Sequence, residues 1–176
     1  MNITNGVTPR RWLYICNRPL SGLITAKLGT SSWLTDLGRT RALVDMKHCP
    51  KFQAEGAKVK LENKRRLVQW VSNHCKIELD EDAMFDIQVK RIHEYKRQLL
   101  NALYCIHRYL EIKGMSEEDR KKNVVKRAIL FGGKAAPGYL TAKNIIKLVN
   151  NIAAVVNKDP ATSKYAALST YFTFVL

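Results

Sequence analysis

The chain changes from strand to helix within the segment Val89-Lys90-Arg91-Ile92-His93-Glu94-Tyr95-Lys96-Arg97-Gln98. Before this segment, the apolar residues Phe85, Ile87 and Val89 alternate with polar ones, which is the period of a half-buried strand over 84–90. After it, leucine and isoleucine recur at helical spacing and predict a helix over about 94–112. The segment is therefore predicted to be a turn between a strand and a helix.

This turn is strongly basic, because it carries Lys90, Arg91, Lys96 and Arg97, with His93 between them. The start of a helix behaves like roughly half a positive charge, so each cation there is unfavourable by about 0.3–1 kcal/mol. A bound anion removes the mismatch, since backbone N–H groups and cationic side chains then point at one negative charge. We interpret the turn as a site for a phosphate-type anion. The alternative is a solvated basic face.

Composition points to an anionic partner. The chain has 176 residues, enough for one domain or part of a larger protein, and a formal net charge of +15. Such a charge favours nucleic acid, acidic lipid or phosphorylated small molecules as partners, or it reflects acidic parts missing from a longer chain.

The four cysteines form no C-x-x-C pair and fit a reducing compartment. With no leader and no apolar run of membrane-spanning length, we expect a soluble, cytoplasmic protein.

The first part of the chain, 1–80, is predicted to be a helical segment leading into a second domain. Turn chemistry and helix caps predict helices over about 9–17, 19–28 and 50–74. Short helices and loops are expected between Gly29 and Cys49. Two apolar groups in that stretch are interpreted as core contacts; they are Trp33, Leu34 and Leu37, and Leu43, Val44 and Met46.

The second part, 81–176, is predicted to be α/β. A second strand is expected over 124–131, a tight loop over 132–139 and a largely buried helix over 139–157. Alternating strands and helices imply parallel pairing with right-handed crossover helices. Ligands of such sheets bind where strands end and helices begin, which is the edge expected to carry loops 90–97 and 132–139.

Several candidate motifs are weak on their own. The glycine-rich loop 132–139 lacks the spacing of a P-loop, so a structural turn and a phosphate loop both fit, and Lys134 at the ligand edge favours binding. His93 fits a proton shuttle or a hydrogen-bonded structural histidine. Glu94 stands alone among cations and is interpreted as an ion-pair partner. The dipeptides His48-Cys49 and His74-Cys75 lack the spacing of zinc ligands, so no metal site is expected.

The tail over 165–176 is predicted to be an aromatic strand that stops in the middle of a fold. An exposed aromatic edge strand favours aggregation. This pattern indicates an incomplete protein.

Three segments carry a family resemblance, and they are Thr4–Trp12, Phe85–Gln98 and Gly132–Tyr139 with Ala142-Lys143. Together they resemble the α-1,4-glucan (glycogen/starch) phosphorylases, collinearly from about Asn2 to Pro160, with spacing like that of an animal glycogen phosphorylase. The resemblance implies the GT-B fold, in which two Rossmann-like domains face a cleft. This chain resembles part of the C-terminal domain, which carries pyridoxal 5′-phosphate.

The activity implied by the resemblance is phosphorolysis. Inorganic phosphate attacks the terminal glucose of glycogen or another α-1,4-glucan and yields glucose 1-phosphate, in an enzyme expected to be a homodimer. By position, Lys90 resembles a contact to the cofactor phosphate, and Trp12 a residue that packs near the cofactor. Arg91 and Lys96 resemble contacts to the substrate phosphate, and His93 beside them is a catalytic candidate. Clustered cations would screen the repulsion between two phosphates.

Three further residues are candidates for substrate binding. Asn5 resembles the residue that hydrogen-bonds the bound glucose, and Tyr139 resembles the aromatic residue of the inhibitor site at the cleft mouth. Lys134 completes the expected set, and we expect Lys90, Arg91 and Lys96 to share one pocket beside it.

The sequence also departs from the family. It lacks the Gly-Thr-Gly-Asn-x-Lys segment, whose lysine forms the Schiff base with the cofactor, and it lacks the N-terminal domain. Its similarity is expected to fade after about Tyr165. We therefore predict that this chain alone does not catalyse phosphorolysis. Two alternatives are a basic α/β module that binds RNA or another polyanion, and a non-catalytic product that pairs with full-length chains.

Overall fold

The computed structural model describes residues 6–174, with side chains described as far as Leu168. The chain forms two compact units, of which one ends at Arg66 and the other begins at Leu67. The division into 1–80 and 81–176 stays a prediction of domain organisation. Within residues 6–174, no helix combines the length and the apolar character needed to cross a bilayer.

The first unit is helical, as its caps predict. A helical turn over Arg10–Ile15 follows Thr8, whose hydroxyl accepts a hydrogen bond from the Arg11 amide at 3.3 Å. Helix α1, Arg18–Leu28, is capped by the side chain of Asn17 and ends at Gly29, whose φ of 67° is left-handed. Helical turns over Ser32–Leu34 and Leu37–Met46 lead to helix α2, Pro50–Cys75, whose final turns belong to the second unit.

The apolar residues between α1 and α2 differ in burial. Trp33 is fully buried, and its indole N–H donates to Thr25 Oγ1 at 3.0 Å. Leu37 and Val44 are exposed by 44% and 57%, so their interpretation as core residues was wrong. They lie in a 3₁₀ segment, where three residues complete a turn and neighbouring side chains point in different directions.

The second unit is α/β with a parallel sheet, as predicted. Its strands are β1, Met84–Val89, β2, Arg127–Ala135, and β3, Ala166–Phe174, and they pair in parallel in the order β1-β2-β3. Between them lie α3, Gln98–Gly114, α4, Glu117–Asn123, and α5, Leu140–Val156. Helix α4 is capped by Ser116, because Ser116 Oγ accepts a hydrogen bond from the Asp119 amide at 3.1 Å.

The main core joins one face of the sheet to α3 and α5. It includes Ile129 and Phe131 of β2, Ala102 and Cys105 of α3, and Val149 of α5. Helix α5 buries much of its circumference, as predicted, although Val155 remains 54% exposed. A smaller cluster on the other face contains Val71, Leu79, Ala83, Ala128 and Leu130.

Strand β1 is less buried than its alternation predicts. Phe85 is half-buried, whereas Ile87 and Val89 are exposed by 49% and 65%. The prediction failed for these two because β1 is an outer strand of the described sheet, and the smaller cluster reaches Phe85 without extending to them.

Two element boundaries also differ from the prediction. Helix α3 begins at Gln98 rather than at 94, since a 3₁₀ turn over Glu94–Lys96 is followed by Arg97 with a φ of 61°. Strand β2 runs from Arg127, rather than 124, through Ala135, so Gly132–Ala135 is strand and not loop. These shifts place the basic turn between the end of β1 and the start of α3.

Candidate functional site

A cavity of about 510 Å³ lies at the carboxyl ends of β1 and β2. It is lined by Arg91, Ile92, His93, Lys134, Ala135, Ala136, Pro137 and Tyr139. These residues come from the two segments that the sequence places at the ligand edge. The prediction that the two segments meet there is confirmed.

Gly133 allows the two segments to approach each other. The sheet ladder continues past β1, because the Lys90 amide donates to Gly132 O at 2.9 Å and the Ile92 amide to Lys134 O at 3.1 Å. A Cβ atom on Gly133 would lie 2.1 Å from Lys90 O, far inside van der Waals contact. Glycine is therefore required here for close backbone approach.

The backbone alternation of the turn directs its side chains. Ile92 is only 4% exposed and joins the main core, whereas Arg91 and His93 on either side are exposed. Gln98 is fully buried; its amide donates to Arg91 O at 3.1 Å and accepts from the His93 amide at 3.4 Å. The buried side chain of Ile92 and the two hydrogen bonds of Gln98 thus hold Arg91 and His93 at the cavity.

His93 packs among aromatic rings. Its ring centroid lies 4.6 Å from that of Tyr95 and 5.2 Å from that of Tyr139, with tilts of 56° and 57°. Its ring nitrogens make no hydrogen bond to any residue over 6–174. The imidazole is therefore exposed at the cavity, and its role as a proton shuttle stays a prediction.

Glu94 interacts with a tyrosine rather than with the surrounding cations. The Tyr139 hydroxyl donates to Glu94 Oε2 at 2.7 Å and accepts from the Glu94 amide at 3.3 Å. The hydrogen bond to the carboxylate raises the pKa of Tyr139 above its ordinary value of 10.0. The interpretation of Glu94 as an ion-pair partner was wrong, because this hydroxyl engages its carboxylate.

The cations at the cavity have no carboxylate partners. Within the part of the chain that the structure describes, neither Arg91 nor Lys134 forms an ion pair. Both line the cavity together with His93. Such an arrangement suits a phosphate-type anion, since guanidinium and ammonium groups donate charge-assisted hydrogen bonds to phosphate oxygens.

Two of the predicted phosphate contacts do not line this cavity. Lys90 is exposed and is not among the residues that line the cavity. Lys96 lies in the 3₁₀ turn, with Nζ 5.4 Å from the centroid of the Tyr95 ring. The expectation that Lys90, Arg91 and Lys96 share one pocket beside Lys134 is therefore right for Arg91 alone.

The remaining candidates lie outside the second unit. Trp12 belongs to the first unit and is 59% exposed. Asn5 lies outside the described residues. Their roles toward glucose and cofactor stay predictions.

The sequence interpretation missed Gln98 and Gly133. Gln98 shares a helix face with buried Ala102 and Cys105 at spacings of four and three, so a polar residue on an apolar face was the available signal. For Gly133 the signal was a glycine directly following an apolar strand pattern, which also fits close backbone approach.

Comparison with known proteins identifies the family of this chain. The sequence model of the family described as carbohydrate phosphorylase matches residues 1–173, further than the expected resemblance to Pro160. The chain belongs to the carbohydrate phosphorylase family.

Named relatives agree with the family match. The chain is 50% identical over 159 residues to "Glycogen phosphorylase 2" of Dictyostelium discoideum, covering 90% of this chain and 15% of that protein. It is 46% identical over 164 residues to "Alpha-glucan phosphorylase 2, cytosolic" of Arabidopsis thaliana, covering 93% and 19%. It is 49% identical over 159 residues to "Glycogen phosphorylase, liver form" of Homo sapiens, covering 90% and 18%. The chain thus spans less than a fifth of the length of these relatives.

Proposed function

We propose that this chain supplies a phosphate-binding part of an α-1,4-glucan phosphorylase. The complete enzyme would transfer the terminal glucose of glycogen or a related glucan to inorganic phosphate and release glucose 1-phosphate. The observation that carries the proposal is the pair Arg91 and Lys134, which line one cavity without ion-pair partners among the described residues, in a chain of the phosphorylase family.

In this proposal each residue at the cavity has a separate task. Arg91 and Lys134 hold the substrate phosphate and offset the repulsion of a second phosphate nearby. His93 holds or moves a proton at its exposed ring, and Lys96 adds charge from the adjoining turn. Tyr139 forms the aromatic edge of the cavity, and its hydroxyl donates to the Glu94 carboxylate, which forms no ion pair with Arg91 or Lys134.

The cavity also fits the phosphate of pyridoxal 5′-phosphate, because its charged lining residues are cations. When bound, that phosphate supplies a proton relay beside the substrate phosphate. By the family resemblance, Lys90 and Trp12, neither of which lines this cavity, are proposed as further cofactor contacts, and Asn5 as a glucose contact. Covalent attachment would need the Gly-Thr-Gly-Asn-x-Lys segment, which this sequence does not contain.

We further propose that catalysis needs more chain than is present here. The chain covers 15–19% of the three relatives, so glucan binding, a homodimeric state and a cytoplasmic location are proposals about the whole enzyme. Incubation of the chain with glycogen, phosphate and pyridoxal 5′-phosphate is expected to release no glucose 1-phosphate above background. Release that depends on protein concentration would contradict this part of the proposal.

The direct test of binding is a titration with inorganic phosphate followed by amide NMR shifts. We expect phosphate to cause the largest shifts at Arg91, His93 and Lys134. A control titration with chloride at the same concentration should cause smaller shifts at these residues. Shifts spread evenly over the basic surface, or none at all, would overturn the phosphate site.

A polyanion-binding module is the second candidate. Its support is the net charge of +15 and the exposed cations of α2, such as Lys58, Lys60 and Arg66. Binding of this kind would extend over many phosphates and weaken steeply with salt. An RNA mobility-shift series separates the two, because tight binding at physiological salt, centred on α2, would favour the module.

A further inference from the structure

We infer that Gln98 is a positioning residue of the anion site, holding the backbone on both sides of Ile92 so that Arg91 and His93 face the cavity. The inference rests on the proposed function and deepens it. Gln98 itself does not line the cavity.

The burial of Gln98 sets the constraint. Its side chain is fully buried on a helix face otherwise occupied by Ala102 and Cys105. A buried amide is strongly unfavourable unless its donor and acceptor groups find partners. Both ends are used, since Nε2 donates to Arg91 O at 3.1 Å and Oε1 accepts from the His93 amide at 3.4 Å.

These two bonds take the place of a neighbouring strand. The amides of Lys90 and Ile92 point toward β2, where they bond to Gly132 O and Lys134 O. Alternation therefore directs Arg91 O and the His93 amide away from β2. One residue of a further parallel strand would donate to the first and accept from the second, and the Gln98 side chain does both. The extended form of residues 91–93 thus depends on this side chain.

A second amide pair keeps the surrounding fold independent of Gln98. Gln88 Nε2 donates to Lys96 O at 3.1 Å, and Asn101 Nδ2 donates to Gln88 Oε1 at 3.0 Å. These bonds join β1, the turn and α3 without touching Arg91 or His93. Removal of the Gln98 amide is therefore expected to loosen residues 91–93 selectively.

The test compares Gln98→Met with Ile112→Val, which thins the core on the same helix away from the turn. Inorganic phosphate affinity, urea unfolding and amide hydrogen exchange are measured for both. We expect Gln98→Met to weaken phosphate binding about tenfold. A loss of this size corresponds to one lost hydrogen bond between Arg91 and the phosphate. Hydrogen exchange at the His93 amide should be faster in Gln98→Met than in wild type. Ile112→Val should change neither the phosphate affinity nor the exchange rate of the His93 amide. Gln98→Leu, which is apolar and also removes both hydrogen bonds, should give the same two effects and replaces Gln98→Met if that variant does not fold.

The outcomes separate the inference from the proposed function. If wild-type protein binds phosphate and the Gln98 variants bind it equally well, the positioning role is wrong and the site stands. If Ile112→Val weakens binding as much as Gln98→Met, the effect is one of general stability and the inference fails. If wild-type protein does not bind phosphate at Arg91 and Lys134, the proposed site fails and the positioning role falls with it.

Discussion

The two ends of the sheet both carry cations, and they differ in what those cations contact. At the amino end, a cavity of about 330 Å³ is lined by Lys126 and Arg127 among others. Lys126 Nζ lies 2.7 Å from Asp80 Oδ2, and Arg127 lies 3.9 Å from Asp86. The bond to Asp80 raises the pKa of Lys126. At the carboxyl end, Arg91 and Lys134 have no ion-pair partner over residues 6–174.

This difference distinguishes structural charge from charge available to a ligand. A cation that already contacts a carboxylate would have to exchange one partner for another to bind an anion. Unpaired cations that converge on one cavity have no such competitor, and their mutual repulsion falls when an anion arrives. The carboxyl end is therefore the expected binding site, although both cavities contain lysine and arginine.

The largest expected effect concerns the backbone that builds the carboxyl end. Gly133→Ala would place a Cβ 2.1 Å from Lys90 O, so the strands must separate. We expect unfolding free energy to fall by about 1–3 kcal/mol or more, as for other overpacking changes, and phosphate binding to be lost. Urea unfolding and phosphate titration measure the two effects. Gly138→Ala is the control, because nothing lies within 4 Å of the position that its added methyl group would take; equal behaviour of the two variants would refute the close-approach argument.

An effect of intermediate size is expected for the pH dependence of stability, through the carboxylate of Asp159. The pKa of Asp159 is lowered to about 2, first by the Ala161 amide at 2.9 Å and then by the Tyr109 hydroxyl and Lys113. Its folded pKa lies below the ordinary 3.8, so its contribution to stability is present above about pH 4. That contribution is lost as pH falls through about 2.

Asp159→Asn should abolish this part of the acid dependence. Urea unfolding at neutral pH and at about pH 3 is the measurement, and the gap between wild type and variant should narrow in acid. A gap that is constant with pH would show that the Asp159 charge contributes nothing. Phosphate affinity at neutral pH should be unchanged, because Asp159 does not line the carboxyl-end cavity.

The smallest effect is expected at the amino end. The pair Lys126 and Asp80 is solvent-exposed, with side-chain exposures of 52% and 38%. Such pairs contribute little because water and salt screen them. The free energy of unfolding of Lys126→Gln, measured in urea, should equal that of wild type within error. A clear loss of stability would show that the amino-end charges do more than pair locally.

The sequence predicted the fold well where local chemistry decides it. Gly29 ends α1 as predicted, and the apolar pattern of α5 predicts its burial. The extent of β2 escaped prediction, because consecutive glycines favour a loop and only contact with Lys90 explains them as strand. The exposure of Ile87 also escaped, since a strand's position at the edge of a sheet is not encoded in its own residues.

The sequence predicted where in the fold the site lies better than it predicted which side chains line the cavity. Strand–helix alternation brings Arg91 and Lys134 to one edge, and both line the cavity. Lys90 and Lys96 belong to the same basic run but do not line it, and Lys96 lies in the 3₁₀ turn that precedes α3. Contacts such as those of Gln98 depend on how the turn closes, which spacing alone does not determine.

The most direct test of the account is a charge-matched titration. The double variant Arg91→Gln with Lys134→Gln is compared with Lys126→Gln with Lys164→Gln, which removes the same charge from the amino-end cavity. Inorganic phosphate affinity is measured at fixed ionic strength. We expect phosphate affinity to fall by at least about tenfold in the first double variant and to equal that of wild type in the second. Equal losses in both variants would show that net charge alone attracts phosphate, and would contradict a site at the carboxyl end of the sheet.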